Sequence, residues 1–421
     1  MDGTRNWAGN LAFRATRVAT PRTVDEVQTL VADAAPGSLR PLGTRHSFSA
    51  IADTTGVLIS SAGFADSSDI RVSDDRTSVT TPAGIRYGDL ARVLEADGLA
   101  LANLASLPHI SVAGAVATGT HGSGVTNGSL ATSVRTIEFV DGTGELVTLR
   151  RGEPDFAGAV VALGALGFVT RLELDIEPSF AVAQTVYRGL PLGAVLDSFD
   201  ELTGLGYSVS LFTTWNDPDN IDQLWLKRRV DRDAPAPERV LGALPSPTPM
   251  HPIEGVDPVH CTEQLGVPGP WLDRLPHFRL EFTPSNGDEL QTEYLVPRAR
   301  ALDGLRAVRE LVHRIRPLLQ VTEVRELAAD ELWLSGAYGT DVVALHFTWH
   351  PDQSAVDALL PELEQRLLPL GARPHWGKRF AADASALEPL YPRFADFRAL
   401  ARRHDPRGVF VNDYLRATLR L

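Results

Sequence analysis

The stretch Ser111-Val112-Ala113-Gly114-Ala115-Val116-Ala117-Thr118-Gly119-Thr120-His121-Gly122-Ser123-Gly124 constrains the fold more than any other part of the chain. Nearly every side chain in it is small. It cannot fill a core by its own bulk, so its backbone must lie close against something else. Closely approaching N–H groups, with Ser and Thr hydroxyls between them, suit a phosphate. A tight buried turn suits the same composition equally well. The stretch is not a Rossmann fingerprint: Gly122-Ser123-Gly124 is followed by Gly128, one residue too far for G-x-G-x-x-G. No Gly-Lys-Ser/Thr occurs, so it is not a P-loop either.

Composition narrows the class. A chain of 421 residues implies two or three domains and a large core. The formal net charge of −13 argues against nucleic acid as a partner. A single cysteine, Cys261, excludes a disulfide framework and Cys-rich metal sites and fits a reducing compartment. No apolar run reaches the roughly 18 residues of a membrane span. The start, Met1-Asp2-Gly3-Thr4-Arg5-Asn6, has no basic and apolar leader pattern. A cytoplasmic protein is expected. All but two of the 40 basic residues are arginine; the exceptions are Lys227 and Lys378.

Periodicity places the elements. Thr23-Val24-Asp25-Glu26 reads as a capping box ahead of a helix carrying Val27, Leu30 and Val31. Leu90, Val93 and Leu94 mark a second helix, ended by Gly98. Val57–Ile59 and Ser78–Thr81 read as strands, 137–140 and 146–148 as a hairpin, and Leu172, Leu174 and Ile176 as one face of a half-buried strand. Beyond Pro178 the strands become longer and more aromatic: Ser208–Phe212, Leu224–Leu226 and His277–Phe282. Asp233–Pro270 is a Pro-rich excursion. Leu302, Leu305, Val308, Val312 and Ile315 form one helical stripe; Val356, Leu359, Leu360, Leu363 and Leu367 form another. Strands and helices in runs predict an α+β fold with two domains. A boundary is placed near residue 180, with a tail from Pro374 packing back on the first domain.

Four polar groupings stand out. Gly43-Thr44-Arg45-His46-Ser47-Phe48-Ser49 suits a turn against a ligand, although a hydrogen-bonded loop histidine is the commoner meaning of a residue like His46. In the strand Leu319–Leu327, alternation puts Glu323 and Arg325 on one face with Leu319, Val321 and Leu327. Buried charges need partners, so a structural ion pair and a binding site carry equal weight. In Asp341–His350, His346, Thr348 and His350 share a polar face for which solvent is the expected neighbour. Pro374-His375-Trp376-Gly377-Lys378-Arg379 holds a lysine that nearby positive charge would make titratable.

Together these segments resemble the vanillyl-alcohol-oxidase type of FAD flavoproteins, and within it the alditol (xylitol) oxidases. The motifs are Asn6-Trp7-Ala8-Gly9-Asn10, Gly43–Phe48, Ala105-Ser106-Leu107-Pro108-His109-Ile110, the small-residue stretch, Leu163-Gly164-Ala165-Leu166-Gly167, Cys261-Thr262-Glu263-Gln264, Glu323-Val324-Arg325, His346-Phe347-Thr348-Trp349 and His375-Trp376-Gly377-Lys378. The resemblance covers nearly the whole chain. It implies a two-domain fold: a PCMH-type FAD-binding domain, 1–179, a substrate cap, 180–373, and a returning segment, 374–421. It implies FAD bonded covalently to His46; Cys261 lies too far along the chain for a second link. It implies cofactor contacts from Pro41, Leu42, Gly43, Thr44, Arg45, Ser47, Ser106, Ser111, Gly114, Thr118, Gly119, Thr120, His121, Val169 and His375. Relatives often carry Ser-Gly where this chain has Thr44-Arg45, which adds bulk and charge beside the histidine.

The activity implied is oxidation of the terminal primary alcohol of an acyclic polyol to the aldose, with O2 reduced to H2O2. Ser106, Glu323, Arg325, Thr348 and Lys378 would bind the polyol; Lys378, helped by Arg325, would act on the reacting hydroxyl. Small Ala105 beside Ser106 is compatible with oxygen access. The partners are the polyol and O2, the expected state a monomer, and no metal is expected. The rival is an aldonolactone oxidase or dehydrogenase; a non-catalytic flavin or sugar binder is a third reading. A serine hydrolase on Ser106 and His109 is disfavoured because no G-x-S-x-G surrounds Ser106. Lys227, in Leu226-Lys227-Arg228-Arg229, is expected on the surface of the cap.

Overall fold

A computed structural model describes residues 5–281 and 289–421. Met1–Thr4 and Phe282, the end of one expected strand, lie outside the described residues. The fold is α+β. The first helix, Val24–Ala32, starts as its sequence dictates: Thr23 Oγ1 accepts the Glu26 N–H at 3.3 Å. The Glu26 carboxylate accepts from the N–H of Arg22 rather than Thr23, one residue earlier than a reciprocal box. The second helix, Tyr87–Ala96, is followed by Gly98 at φ +69°, where a side chain would be strained.

Three larger sheets organise the chain, beside a two-stranded pairing of Leu99–Ala100 with Glu177–Pro178. A parallel sheet runs in the order Arg17–Ala19, Val57–Ser60, Leu39–Leu42. A five-stranded antiparallel sheet follows, with Val134–Asp141 and Leu146–Arg150 as the expected hairpin beside Gly167–Asp175. An eight-stranded antiparallel sheet takes the chain from Ala181 onward. Its inner strands are Ala181–Pro191, Asn220–Arg229, Ser208–Thr213, Leu319–Leu327, Val342–Trp349 and Leu290–Pro297, in that spatial order, with Gly269–Pro270 at one edge and Arg373–Pro374 at the other. One face packs on the helices Ala301–Glu310 and Gln353–Leu367, through Tyr294, Val296, Val324, Leu345, Leu305 and Leu360. The C-terminal helices Phe394–His404 and Asp413–Leu419 place Phe397, Leu400 and Leu415 in the same core as Val79, Leu94 and Leu172. Among the described residues no helix is long and apolar enough to cross a membrane.

Two expected elements differ. The stripe Leu302–Ile315 is divided between helices Ala301–Glu310 and Val312–Ile315, and Leu302 and Val312 are only half-buried. His277–Phe282 makes no strand within its described part. The N–H groups of His277 and Phe278 both turn to the Ser106 carbonyl, at 3.1 and 3.3 Å. A single antiparallel bridge, Cys261 to Phe278, is what remains of sheet pairing. The segment is thereby tied to the loop bearing Ser106 and not to the large sheet. The Pro-rich excursion has little regular structure, as its composition predicts.

Candidate active site

Register builds the site. Across neighbouring strands Phe212 pairs with Glu323, Glu323 with His346, and His346 with Glu293. The row before it holds Val321, Thr348 and Gln291; the row after it pairs Arg325 with Ala344. Because strand side chains alternate, all of these share the face turned away from the helices. That face forms one wall of a cleft of about 2090 Å³ including its open mouth. The polar face of Val342–Trp349 therefore lines the cleft through His346 and Thr348, against the expectation of solvent; only His350, beyond the strand, is exposed.

The opposite wall comes from Pro41–Ser49, Ala105–Leu107, the helix Val112–Ala117 with the residues around it, and Ala159–Val169. Every site residue expected from sequence lines this one cleft except Gly119, which turns at φ +68° between Thr118 and Thr120. At Gly43 and Gly114 the chain is tight: an added Cβ would lie 2.6 and 2.8 Å from Ser111 Oγ. The N–H groups of Ser111, Val112 and Ala113 are taken by Thr44 Oγ1, the Ile85 carbonyl and the Ala83 carbonyl. Those of Thr44, His46 and Ser47 make no backbone bond among the described residues. The loop, more than the start of the helix, thus offers free donors to a phosphate.

His46 is stacked on Trp7, with ring centres 5.4 Å apart, and its Nδ1 lies 3.1 Å from Thr44 Oγ1. Burial, then the neighbouring His109, pushes its pKa down to about 4, so the imidazole is neutral at pH 7. Arg45 sits at φ +65°, in the left-handed region that glycine adopts at no steric cost.

The charged centre was only partly anticipated. Glu293, 1% exposed, is its hub. Its Oε2 accepts from Lys378 Nζ at 2.6 Å and its Oε1 from Arg325 Nη2 at 2.7 Å. Burial raises its carboxyl pKa, but Lys378, His121 and Arg325 outweigh that and hold it well below the usual range. Arg325 also donates to Ser106 Oγ at 3.2 Å and lies 3.5 Å from Glu323 Oε1. Lys378 Nζ lies 2.6 Å from His346 Nδ1, and His346 Nε2 is 3.1 Å from Thr348 Oγ1. Burial, followed by Lys378, pushes His346 down to about 4. Burial also lowers the Lys378 pKa, with Glu293 opposing and Arg325 reinforcing the shift. Glu293 lies in Leu290-Gln291-Thr292-Glu293-Tyr294-Leu295, where one acid on an otherwise apolar strand was the available signal.

Lys227 is a correction. It is 1% exposed, not on the surface. The strand Asn220–Arg229 lies between two neighbours, so its alternation buries Lys227 beneath the sheet. There it bonds the Leu275 and Pro276 carbonyls and His277 Nδ1, and His277 Nε2 lies 2.8 Å from Glu323 Oε1.

Ligand atoms of His121, Glu293 and His375 lie within 4.8 Å of one another, but both Glu293 oxygens are already bonded to cations, which disfavours a metal ion there. Two buried atoms of the cleft, His121 Nε2 and Arg325 Nε, have no hydrogen-bond partner among the described residues. Free loop donors, a wall of Ala and Gly, and these orphaned polar atoms fit a flat, polar-edged cofactor such as a flavin dinucleotide.

The fold and this cleft define an FAD-dependent oxidoreductase of the vanillyl-alcohol-oxidase type. Residues 15–150 match the FAD binding domain family, and 287–418 match the D-arabinono-1,4-lactone oxidase family. Cholesterol oxidase from B. sterolicum has the same fold, with a TM-score of 0.77 at 16% identity, covering 99% of this chain and 96% of that one. Alditol oxidase of Streptomyces sp. (strain IKD472 / FERM P-14339) is 50% identical over 416 residues, 98% of both chains. L-gulono-1,4-lactone dehydrogenase of Mycobacterium tuberculosis is 29% identical over 434 residues, also 98% of both. The chain belongs to the alditol oxidase family.

Proposed function

We propose that this chain oxidises the terminal primary alcohol of an acyclic polyol, xylitol or sorbitol in type, to the aldose with O2 reduced to H2O2. The observation that carries the reading is one sheet face presenting Glu323, Arg325, Thr348 and Glu293, joined by Lys378 from the segment after Arg373–Pro374, to a cleft with flavin-fitting walls, in a chain half identical to an alditol oxidase. Residues 1–179 with 374–421 would hold FAD, and 180–373 would form the substrate cap. A monomer is the working unit in this reading. The single buried cysteine agrees with a cytoplasmic setting.

FAD, when bound, supplies the hydride acceptor and passes the electrons to O2. His46 would carry it covalently; a neutral imidazole is what that bond requires, and its lowered pKa supports it. Pro41–Ser47, Ser106, Ser111, Gly114, Thr118, Thr120, His121, Val169 and His375 would line the cofactor. Ser106, Glu323 and Thr348 offer oxygens to polyol hydroxyls, and Arg325 offers a fixed fork. Lys378 Nζ donates one hydrogen bond to Glu293 and one to His346, which leaves its third position for the reacting hydroxyl. In its neutral form Nζ takes that hydroxyl's proton, a role its lowered pKa favours.

The match of 287–418 to the D-arabinono-1,4-lactone oxidase family favours a second reading, oxidation of an aldonolactone. Peroxide release with xylitol against L-gulono-1,4-lactone separates the two. The absorbance spectrum before and after anaerobic xylitol tests the main reading. A flavin spectrum that bleaches is expected; a spectrum that xylitol leaves untouched refutes it.

A further inference from the structure

The two lysines of this chain belong to one network, Lys227 buried and Lys378 half-buried, although the sequence offers arginine almost everywhere else. Lys378 reaches the cleft. Lys227 lies behind it, outside the residues that line it. Its surroundings are specific. Three acceptors converge on Nζ: the Leu275 carbonyl, the Pro276 carbonyl at 3.1 Å and His277 Nδ1 at 3.1 Å. An ammonium has three donors on one atom, whereas a guanidinium spreads its donors over a planar fork and cannot meet three acceptors at one point.

The consequence passes along the chain. With Nδ1 accepting from Lys227, the neutral imidazole of His277 carries its proton on Nε2 and donates it to Glu323 Oε1, 2.8 Å away. The Phe212 and Trp225 rings meet His277 edge-on at 5.5 and 5.2 Å and fix its plane. Arg325 Nε also faces Oε1, at 3.5 Å, so both contacts fall on one oxygen and Oε2 takes part in neither. We propose that Lys227 is a positioning residue for polyol binding: through the tautomer of His277 it locks Glu323 ionised and oriented, so that Oε2 accepts substrate hydroxyls. This rests on the polyol reading of the cleft.

A pH dependence follows. Burial pushes Lys227 down to about 7, with Glu323 opposing; His277, Cys261 and Arg325 are its other charged or titratable neighbours. Above that pH the amine has two protons for three acceptors. His277 Nδ1 is the acceptor that can itself become a donor, and the resulting tautomer turns a lone pair toward Glu323.

The test is Lys227→Met as the flavin-loaded enzyme, with KM for xylitol and the limiting rate of anaerobic flavin reduction measured from pH 6 to 9. Expected are a KM raised about tenfold or more, a limiting rate within about threefold of the parent, and loss of the parent's rise in KM through about pH 7. Lys227→Arg should not restore KM, and the effect should vanish in a Glu323→Gln background. Unchanged KM, or the same fold-change without Glu323, overturns the inference. If Lys227→Met does not accumulate, His277→Leu breaks the same chain one link nearer and should raise KM alike; a normal KM there overturns it. A parent not bleached by xylitol refutes the functional reading, and the inference with it. A bleached parent with normal KM in the variants refutes the inference alone.

Discussion

Glu293→Gln is the sharpest test of the network, because it removes one charge and almost no volume. The side chain has no solvent exposure and neutralises Lys378 and Arg325 at 2.6 and 2.7 Å. Removing one partner of a buried pair costs about 3–5 kcal/mol, since the remaining charge is left uncompensated. With unfolding entropy of about 2.1 cal/mol/K per residue over 421 residues, that corresponds to a Tm lower by about 3–6 °C. The glutamate's folded pKa lies below its unfolded one, so its contribution is complete above about pH 4.3. It is lost as pH falls toward the folded value, by about 1.4 kcal/mol per unit. Calorimetry of the flavin-loaded parent and variant at pH 7 and at pH 3.5 reads both effects: a gap at pH 7 that narrows in acid. Lys378→Met in the same chain removes the stranded cation and should recover part of the loss. A Tm within about 1 °C of the parent at pH 7, or a loss that Lys378→Met leaves unchanged, would refute the argument.

His46→Ala should release its flavin on acid precipitation while the parent pellet stays yellow; a parent that also releases flavin excludes the covalent bond. Lys378→Met should slow flavin reduction far more than it weakens xylitol binding, and equal reduction rates would remove Lys378 from the chemistry. Gly43→Ala should lower the flavin content of purified protein, since its Cβ would stand 2.6 Å from Ser111 Oγ; full loading would show that Ser111 simply rotates away. His346 must be neutral to accept from Lys378, and burial holds it at about 4. With Lys378 as the base, its own protonation sets the first acid limb of flavin reduction; the His346 titration should add a second fall near pH 4, and His346→Asn should remove that second fall.

The parts legible in the sequence share a trait: their meaning is local. The Thr23 cap, the hairpin at 137–148 and the phase of Val321–Leu327 each follow from residues within one element, whereas a bulge after Leu319 turns that residue, expected on the Glu323 face, to the helix side. Glu323 and Arg325 were readable because two charges broke one apolar stripe. Glu293 was not, because a lone acid on a strand says nothing about which face is buried, and its partners stand 32 and 85 residues away. Lys227-Arg228-Arg229 looks like a solvated run, yet pairing on both sides of the strand buries Lys227 and Arg229 and leaves Arg228 half-exposed. Arg229 is compensated by Glu177, Asp231 and the ring of Phe180. The helix expected to run to Ile315 divides at Leu311, a break its apolar spacing does not encode.

A neutral polyol attracts no charge, yet the cleft facing it is built from buried ions. Hydroxyls need acceptors, and the strongest acceptor is a carboxylate, which in a low-dielectric cleft would protonate unless cations held it ionised. The two carboxylates of this ion network, Glu293 and Glu323, are matched accordingly. Glu293 has Lys378 and Arg325; Glu323 has Arg325 and the His277–Lys227 chain. Arginine stands between them, where a charge that never leaves is wanted by both. Lysine stands at the two ends, where an arginine would fail for different reasons. At 378 the group must be able to lose a proton to take one from substrate; at 227 three acceptors converge on a single nitrogen. Lysine, absent from the rest of the chain, thus stands at the two places where arginine would not serve.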